Sequence, residues 1–156
     1  MEMTQPAIKI VSLAPSVEAF GLAMDYLSRH RPFADYSVRN LAIAVRIQLQ
    51  CRQNLAAING DEIVGYAGWL ITNETRAQHW LERDEPLIQE TNPSSRAAAL
   101  TIVVSGSSAV TRRLIRGARE LNKDIRVYFK RDYPGEKKHP KKASVLNRSP
   151  SKRSSG

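Results

Sequence analysis

Ile58-Asn59-Gly60-Asp61-Glu62-Ile63-Val64-Gly65-Tyr66-Ala67-Gly68-Trp69 is the stretch on which the reading of this chain turns. Apolar runs flank a turn signal, which predicts a β-hairpin pairing Leu55–Ile58 antiparallel with Ile63–Ile71. Asn-Gly supplies the two positive-φ residues of a type I′ turn. On the second strand Gly65 and Gly68 carry no side chain. Glycine inside a strand weakens it and marks a bulge, or a place where another group approaches the backbone closely.

Upstream of the hairpin, Ile8–Leu13 reads as a short strand in an extended arm. Pro15 and Ser16 then open a helix, with Ser16 as N-cap and Glu18 favourable in the first turn. Val17, Phe20, Met24 and Leu27 form its apolar stripe, and His30-Arg31-Pro32 stops it, because proline disfavours helical geometry in the residue before it. A second helix, about Ser37 to Arg52, buries Val38, Leu41, Ala42, Val45 and Leu49, with Ile43 and Ile47 on a flank. Arg39, Arg46, Gln48 and Gln50 form its wet side.

Downstream lies a polar segment, Asn73–Asn92, in which Glu74–Arg83 forms a helix burying Trp80 and Leu81 before Pro86 interrupts it. Ala97–Val104 is a buried strand by its β-branched content. Ser105-Gly106-Ser107-Ser108 turns it into a helix over Ala109–Leu121, closed by Asn122 in left-handed geometry. In the last strand, Asp124–Lys130, Ile125, Val127 and Phe129 alternate with Arg126, Tyr128 and Lys130. One face is apolar and one polar, as for an outer strand of a half-buried sheet.

The chain has 156 residues, 42% hydrophobic, enough for one domain with a substantial core. Its net charge of +9 is uneven. Residues 134–156 hold seven Lys/Arg and one acid, Glu136, so most of the basicity lies there. A basic segment rich in Ser and Pro buries too little apolar surface to offset its ordering entropy, and it is expected to be disordered. The division is an arm over 1–15, a domain over 16–133 and a basic tail over 134–156. One cysteine, Cys51, excludes an internal disulfide and is expected as a small buried or half-buried apolar residue. No apolar run approaches 18 residues and no signal-peptide pattern is present, so the expected place is the cytoplasm, without a membrane span.

Several chemistries are excluded by pattern. One Cys and three dispersed His (His30, His79, His139) have no metal-ligand spacing. Gly-x-Ser-x-Gly does not occur, so there is no nucleophile elbow. Asp61-Glu62 and Asp84-Glu85 fall in turns and read as solvated. Arg112, Arg113, Arg116 and Arg119 make a basic stripe that either stays solvated or steers an acidic partner protein. Nucleic acid is disfavoured as partner, because aromatics are not interleaved with the basic residues.

Taken in order, the helix ending Ser28-Arg29-His30-Arg31, the second apolar helix, Val64-Gly65-Tyr66-Ala67-Gly68-Trp69 and Arg126-Val127-Tyr128-Phe129-Lys130-Arg131 resemble the RTX toxin-activating lysine acyltransferases. These are small GNAT-like cytoplasmic proteins that move a fatty acyl chain from acyl carrier protein to internal lysines of a protoxin. The resemblance spans roughly residues 16–133. It implies a GNAT-like α/β fold, a mixed and mostly antiparallel sheet flanked by helices. It implies His30 as catalytic base or acyl carrier, and an acyl channel at Tyr66, Gly68 and Trp69. It further implies acyl carrier protein docking on Arg112, Arg113, Arg116 and Arg119, and a protein acceptor of the RTX-protoxin type. No bound cofactor is implied, since acyl-acyl carrier protein is the donor substrate, and a homodimer stays open.

Two departures stand out. Where the family carries an acidic residue before the glycine turn, this chain has Thr101-Ile102-Val103-Val104-Ser105-Gly106, without a carboxylate. The Arg/Gln-x-x-Gly-x-Gly/Ala loop that holds the pyrophosphate in acetyl-CoA enzymes of the GNAT class is also not met, which argues against free acetyl-CoA as donor. The expected function is protein-lysine acyl transfer. A catalytically silent binding module on the same fold is the alternative, and a nucleic-acid-associated basic protein ranks below it.

Overall fold

The hairpin forms, with a different turn. In the computed structural model, which describes residues 7–131 and 142–147, β2 (Asn54–Asn59) and β3 (Glu62–Asn73) pair antiparallel with Asn59 opposite Glu62. Of the central pair Gly60-Asp61, only Gly60 has positive φ, at 64°. Glycine first with one positive φ is the type II′ pattern, not type I′. Asn59 stays in the strand.

β1 (Lys9–Val11) pairs with the outer edge of β2. α1 (Val17–Ser28) starts where expected, the Ser16 hydroxyl accepting from the Ala19 N–H at 3.0 Å. α2 (Val38–Gln50) is capped in the same way by Ser37, which accepts from the Asn40 N–H at 3.1 Å. Val17 and Val38, expected on the buried stripes, are 90% and 77% exposed. Each is the first residue of its helix and precedes the turn that reaches the sheet. Cys51 caps the end of α2 and is exposed, not buried. Gln48, expected on the wet side, is fully buried. It shares a stripe with Leu41, Val45 and Leu49, and that spacing outranks its polarity because the interior gives it partners.

α3 (Glu74–Arg83), β4 (Arg96–Ser105), α4 (Ser108–Leu121) and β5 (Arg126–Arg131) complete the expected order. The sheet runs β1-β2-β3-β4-β5-β6, antiparallel except for the parallel β4–β5 pair that α4 connects. α4 covers one face, where Leu114 and Ala118 meet Leu55, Ala67, Trp69, Leu100 and Val127. α1 and α2 cover the other, around Tyr66, Ala56 and Ile102, with Ala77 of α3 beside Ala97 and Tyr128. Asn122 follows α4 at φ −119°, so it is not left-handed.

β6 (Lys142–Leu146) lies within the segment expected to be disordered. It pairs antiparallel with β5, Leu146 opposite Val127 and Ala143 opposite Lys130. β5 is therefore an inner strand, and Tyr128, assigned to a polar face, is buried. Asn147 fastens the end of β6 by donating to the carbonyls of Arg119, Asn122 and Ile125. The remainder of the tail lies outside the described residues.

Candidate functional site

The sheet opens between β4 and β5. Their pairing ends at Leu100 with Phe129, whereas β4 stays paired with β3 out to Ser105. Over Thr101–Ser105 the other edge of β4 therefore has no strand beside it among the described residues. A bulge sits at the same place: Gly68 pairs with Ile102 and Trp69 with Leu100, so Thr101 is the extra residue. The bulge switches the faces of the strand. Leu100 packs under α4, while Ile102 packs under α1 and α2, although two residues apart in an unbroken strand would share a face.

A buried polar cluster holds the bulge. The Gln48 carboxamide oxygen accepts from the Tyr66 hydroxyl at 2.8 Å, and its nitrogen donates to the Thr101 hydroxyl at 3.4 Å. A Cβ on Gly68 would lie 2.0 Å from that oxygen. The close approach announced by Gly68 is made by Gln48. Burial also pushes the Tyr66 phenol well above its ordinary pKa. Gly65 answers to α4 in turn: a Cβ there would meet Leu114 and Ser105 at 3.0 Å.

Two cavities occupy the opening. A cavity of about 210 Å³ follows the free edge of β4 toward α4, with Arg31, Phe33, Thr101, Val103, Ser105 and Thr111 in its wall. A second of about 610 Å³ lies on the side of α2 and α3, bounded by Leu41, Trp80, Asp84, Glu85, Leu87 and Ile102. Tyr36, Thr101 and Lys130 line both. At the far end of the free edge the Ser105 hydroxyl contacts that of Thr111 at 2.7 Å and donates to the Ser107 carbonyl at 2.6 Å. Ser107 caps α4 through the Val110 N–H.

The residues singled out from the sequence fall into separate places. Tyr66 and Trp69 are buried on opposite faces of β3, and with Gly68 they support the bulge from beneath and line neither cavity. His30 ends the turn after α1 with its ring 4.2 Å from that of Tyr26. It is not in the wall, but its neighbours Arg31, Pro32 and Phe33 are. Thr101 is at the apex. Arg113 donates to the Ile8 carbonyl at 3.1 Å and Arg119 to the Asn147 side chain at 3.2 Å. Half of the arginine stripe thus ties down the two edge strands, leaving Arg112 and Arg116 exposed on α4.

Comparison with solved structures then decides the architecture. A mosquito arylalkylamine N-acetyltransferase like 5b superposes with a TM-score of 0.57 at 8% identity, over 80% of this chain and 76% of that one. The loading GNATL domain of CurA from Lyngbya majuscula gives 0.57 at 14% identity, over 86% and 71%. A GNAT family acetyltransferase from Brucella melitensis, solved in complex with acetyl-CoA, gives 0.53 at 13% identity, over 90% and 88%. The fold is GNAT-like. No family model and no curated protein matches the sequence.

Within this GNAT-like fold, sequence reasoning missed most of the groove. Tyr36, Lys130 and the Asp84–Leu87 loop carry no local motif. Asp84 and Glu85, read as solvated, do remain exposed, yet they wall the larger cavity. No helix among the described residues is long and apolar enough to cross a membrane, and no His/Cys/Asp/Glu cluster there could hold a metal ion.

Proposed function

We propose that this chain is an acyltransferase whose donor is a thioester on a pantetheine-type arm, laid along the free edge of β4. The observation that carries the reading is that edge itself. Thr101–Ser105 offers backbone N–H and C=O groups to an extended amide-containing arm, much as a sheet edge takes up a further strand, and a cavity follows it to the start of α4. Structures solved with coenzyme A or acetyl-CoA share the architecture.

The finer reading takes the donor as acyl-acyl carrier protein and the acceptor as a lysine of a protein of the protoxin type. Two features support it. The Ser105–Ser108 turn lacks the glycine-rich phosphate loop, and its Ser105 and Ser107 hydroxyls are engaged within the turn. Arg112 stands exposed in the second turn of α4 and Arg116 one turn further on, a face on which a carrier delivering its arm to the β4 edge would rest. An acidic carrier would be steered there by charge. Lysine attack needs the neutral amine, which a reference pKa near 10.4 leaves at about one part in 2,500 at pH 7. His30, one residue before the cavity wall, is the proposed base.

The test pairs binding with transfer. Calorimetry with acetyl-CoA and with hexanoyl-acyl carrier protein should show the carrier-borne donor bound more tightly. Val103→Trp, which fills the smaller cavity, should weaken it at least about tenfold. Intact mass of a co-expressed lysine-rich acceptor should then rise by one acyl unit, and His30→Ala should slow this by roughly 10²–10⁴-fold. Donor binding indifferent to Val103→Trp would remove the β4 edge as the donor site. Binding without any transfer would favour the silent module.

A further inference from the structure

Lys130 is not used by the reading above. Lys130 and Thr101 are the first residues beyond the last β4–β5 pair, so they stand at the apex of the opening. The Lys130 side chain is only 8% exposed. Its ammonium donates to the Trp80 carbonyl at 2.7 Å and to the Asp84 carboxylate, and it lies 4.5 Å from the centre of the Trp80 ring. Asp84 reaches it from the C-cap of α3, in left-handed geometry at φ 55°. Such a φ is uncommon for a residue other than glycine.

An ion pair that only joined α3 to β5 would need no opening beside it. Lys130 borders both cavities, at the junction between them. An ammonium has three N–H donors. Trp80 and Asp84 take two, and among the described residues the third has no recorded acceptor. The other charges around it are divided: Arg31 lines the smaller cavity, which has no carboxylate in its wall, and Asp84 and Glu85 line the larger. The donor side is cationic, and the opposite side carries the acids.

Resting on the acyl-transfer reading, we propose that Lys130 is a catalytic residue that donates a hydrogen bond to the carbonyl oxygen of the donor thioester. The neutral amine of the acceptor attacks the carbonyl carbon, a C–N bond forms, and the carbonyl π electrons move onto oxygen. The oxyanion collapses, the C–S bond breaks, and the thiol leaves as thiolate while the amine's proton passes to the base. Lys130 keeps its own proton throughout. Asp84 and the Trp80 carbonyl act as positioning groups, so the donor is aimed before charge develops and no reorganisation is needed during the step.

The experiment measures donor affinity and single-turnover transfer separately, with acetyl-CoA and hexanoyl-acyl carrier protein as donors. Lys130→Gln should bind donor within about twofold of wild type and transfer roughly 10²–10³-fold more slowly. Lys130→Arg should recover part of that rate. If Lys130→Gln does not fold, Asp84→Asn is read instead, since asparagine tolerates the left-handed position; it should lower the rate about tenfold with affinity unchanged. Wild-type rates in the folded variants overturn the role of Lys130 and leave acyl transfer standing. Parallel loss of affinity and rate overturns it too, because Lys130 would then only hold the donor. A wild type that neither binds nor transfers from either donor overturns the acyl-transfer reading and this role together.

Discussion

The two halves of β4 differ more from each other than from strands elsewhere in the sheet. Ala97–Leu100 is paired on both edges, and all four residues are fully buried. Beyond the bulged Thr101, Ile102–Ser105 is paired on one edge only among the described residues, and this half walls the cavities. Both halves are apolar and continuous in sequence. The difference arises from an event outside the strand, the departure of β5, and from the bulge that turns β4 where β5 leaves it. A functional edge here is made by withdrawing a partner, with no change of composition to mark it.

Gly68→Ala breaks this comparison most severely. The new methyl would occupy the place of the Gln48 carboxamide, forcing that side chain away from Tyr66 and Thr101. Overpacking and an unpaired buried amide together cost about 3 kcal/mol or more, a fall in thermal midpoint of roughly 6–12 °C. Gln48→Ala added to Gly68→Ala should restore part of it, because the two sites are in contact and their effects do not add. A thermal midpoint for Gly68→Ala equal to wild type would mean that Gln48 does not sit over the glycine.

Much of the fold was legible and little of the groove. Ser16 and Ser37 mark their helices by cap chemistry, and Gly60 marks the hairpin, because those signals are local. Gly68 announced a close neighbour correctly, but a glycine cannot say whether that neighbour is a ligand or a glutamine 20 residues earlier on α2. Gln48 reads as wet by its polarity, but it lies on the stripe of Leu41, Val45 and Leu49, and that position decides its burial. Lys130 and Asp84 lie 46 positions apart, and no pattern in a single sequence pairs them. β6 is not legible in the sequence because Ala143–Leu146 is a short, mostly apolar island within a basic run.

Tyr66→Phe tests the support beneath the bulge more gently. It leaves the Gln48 oxygen buried without its 2.8 Å donor, at a cost of about 2 kcal/mol. The pH dependence gives an independent check. The Tyr66 pKa is raised in the folded protein by burial, so the unfolded chain releases the phenolic proton first, near its reference value of about 10. The stabilisation is complete below that value and is lost as pH rises toward the folded pKa. Wild-type stability should fall above about pH 10, and Tyr66→Phe should fall less steeply. Equal slopes by chemical denaturation would show that Tyr66 is reached by solvent.

The smallest effect on stability is expected from β6, and it sharpens the comparison from the other side of the opening. β6 supports β5 on the edge away from β4, with Ala143 opposite Lys130 and Lys142 opposite Arg131. Its residues 144–146 are partly buried, and it closes with the Asn147 hydrogen bonds to the end of α4. Chains ending at Asn147 and at Tyr133 differ by that strand. Losing a short edge strand should cost about 1 kcal/mol, or roughly 2–4 °C in thermal midpoint. The same loss frees the end of β5 that carries Lys130, so single-turnover transfer should slow several-fold while donor affinity stays within about twofold. A chain ending at Tyr133 that matches the longer one in both measurements would show that β5 holds its place without β6. In that case the spread between β4 and β5 is set wholly by the bulge at Thr101.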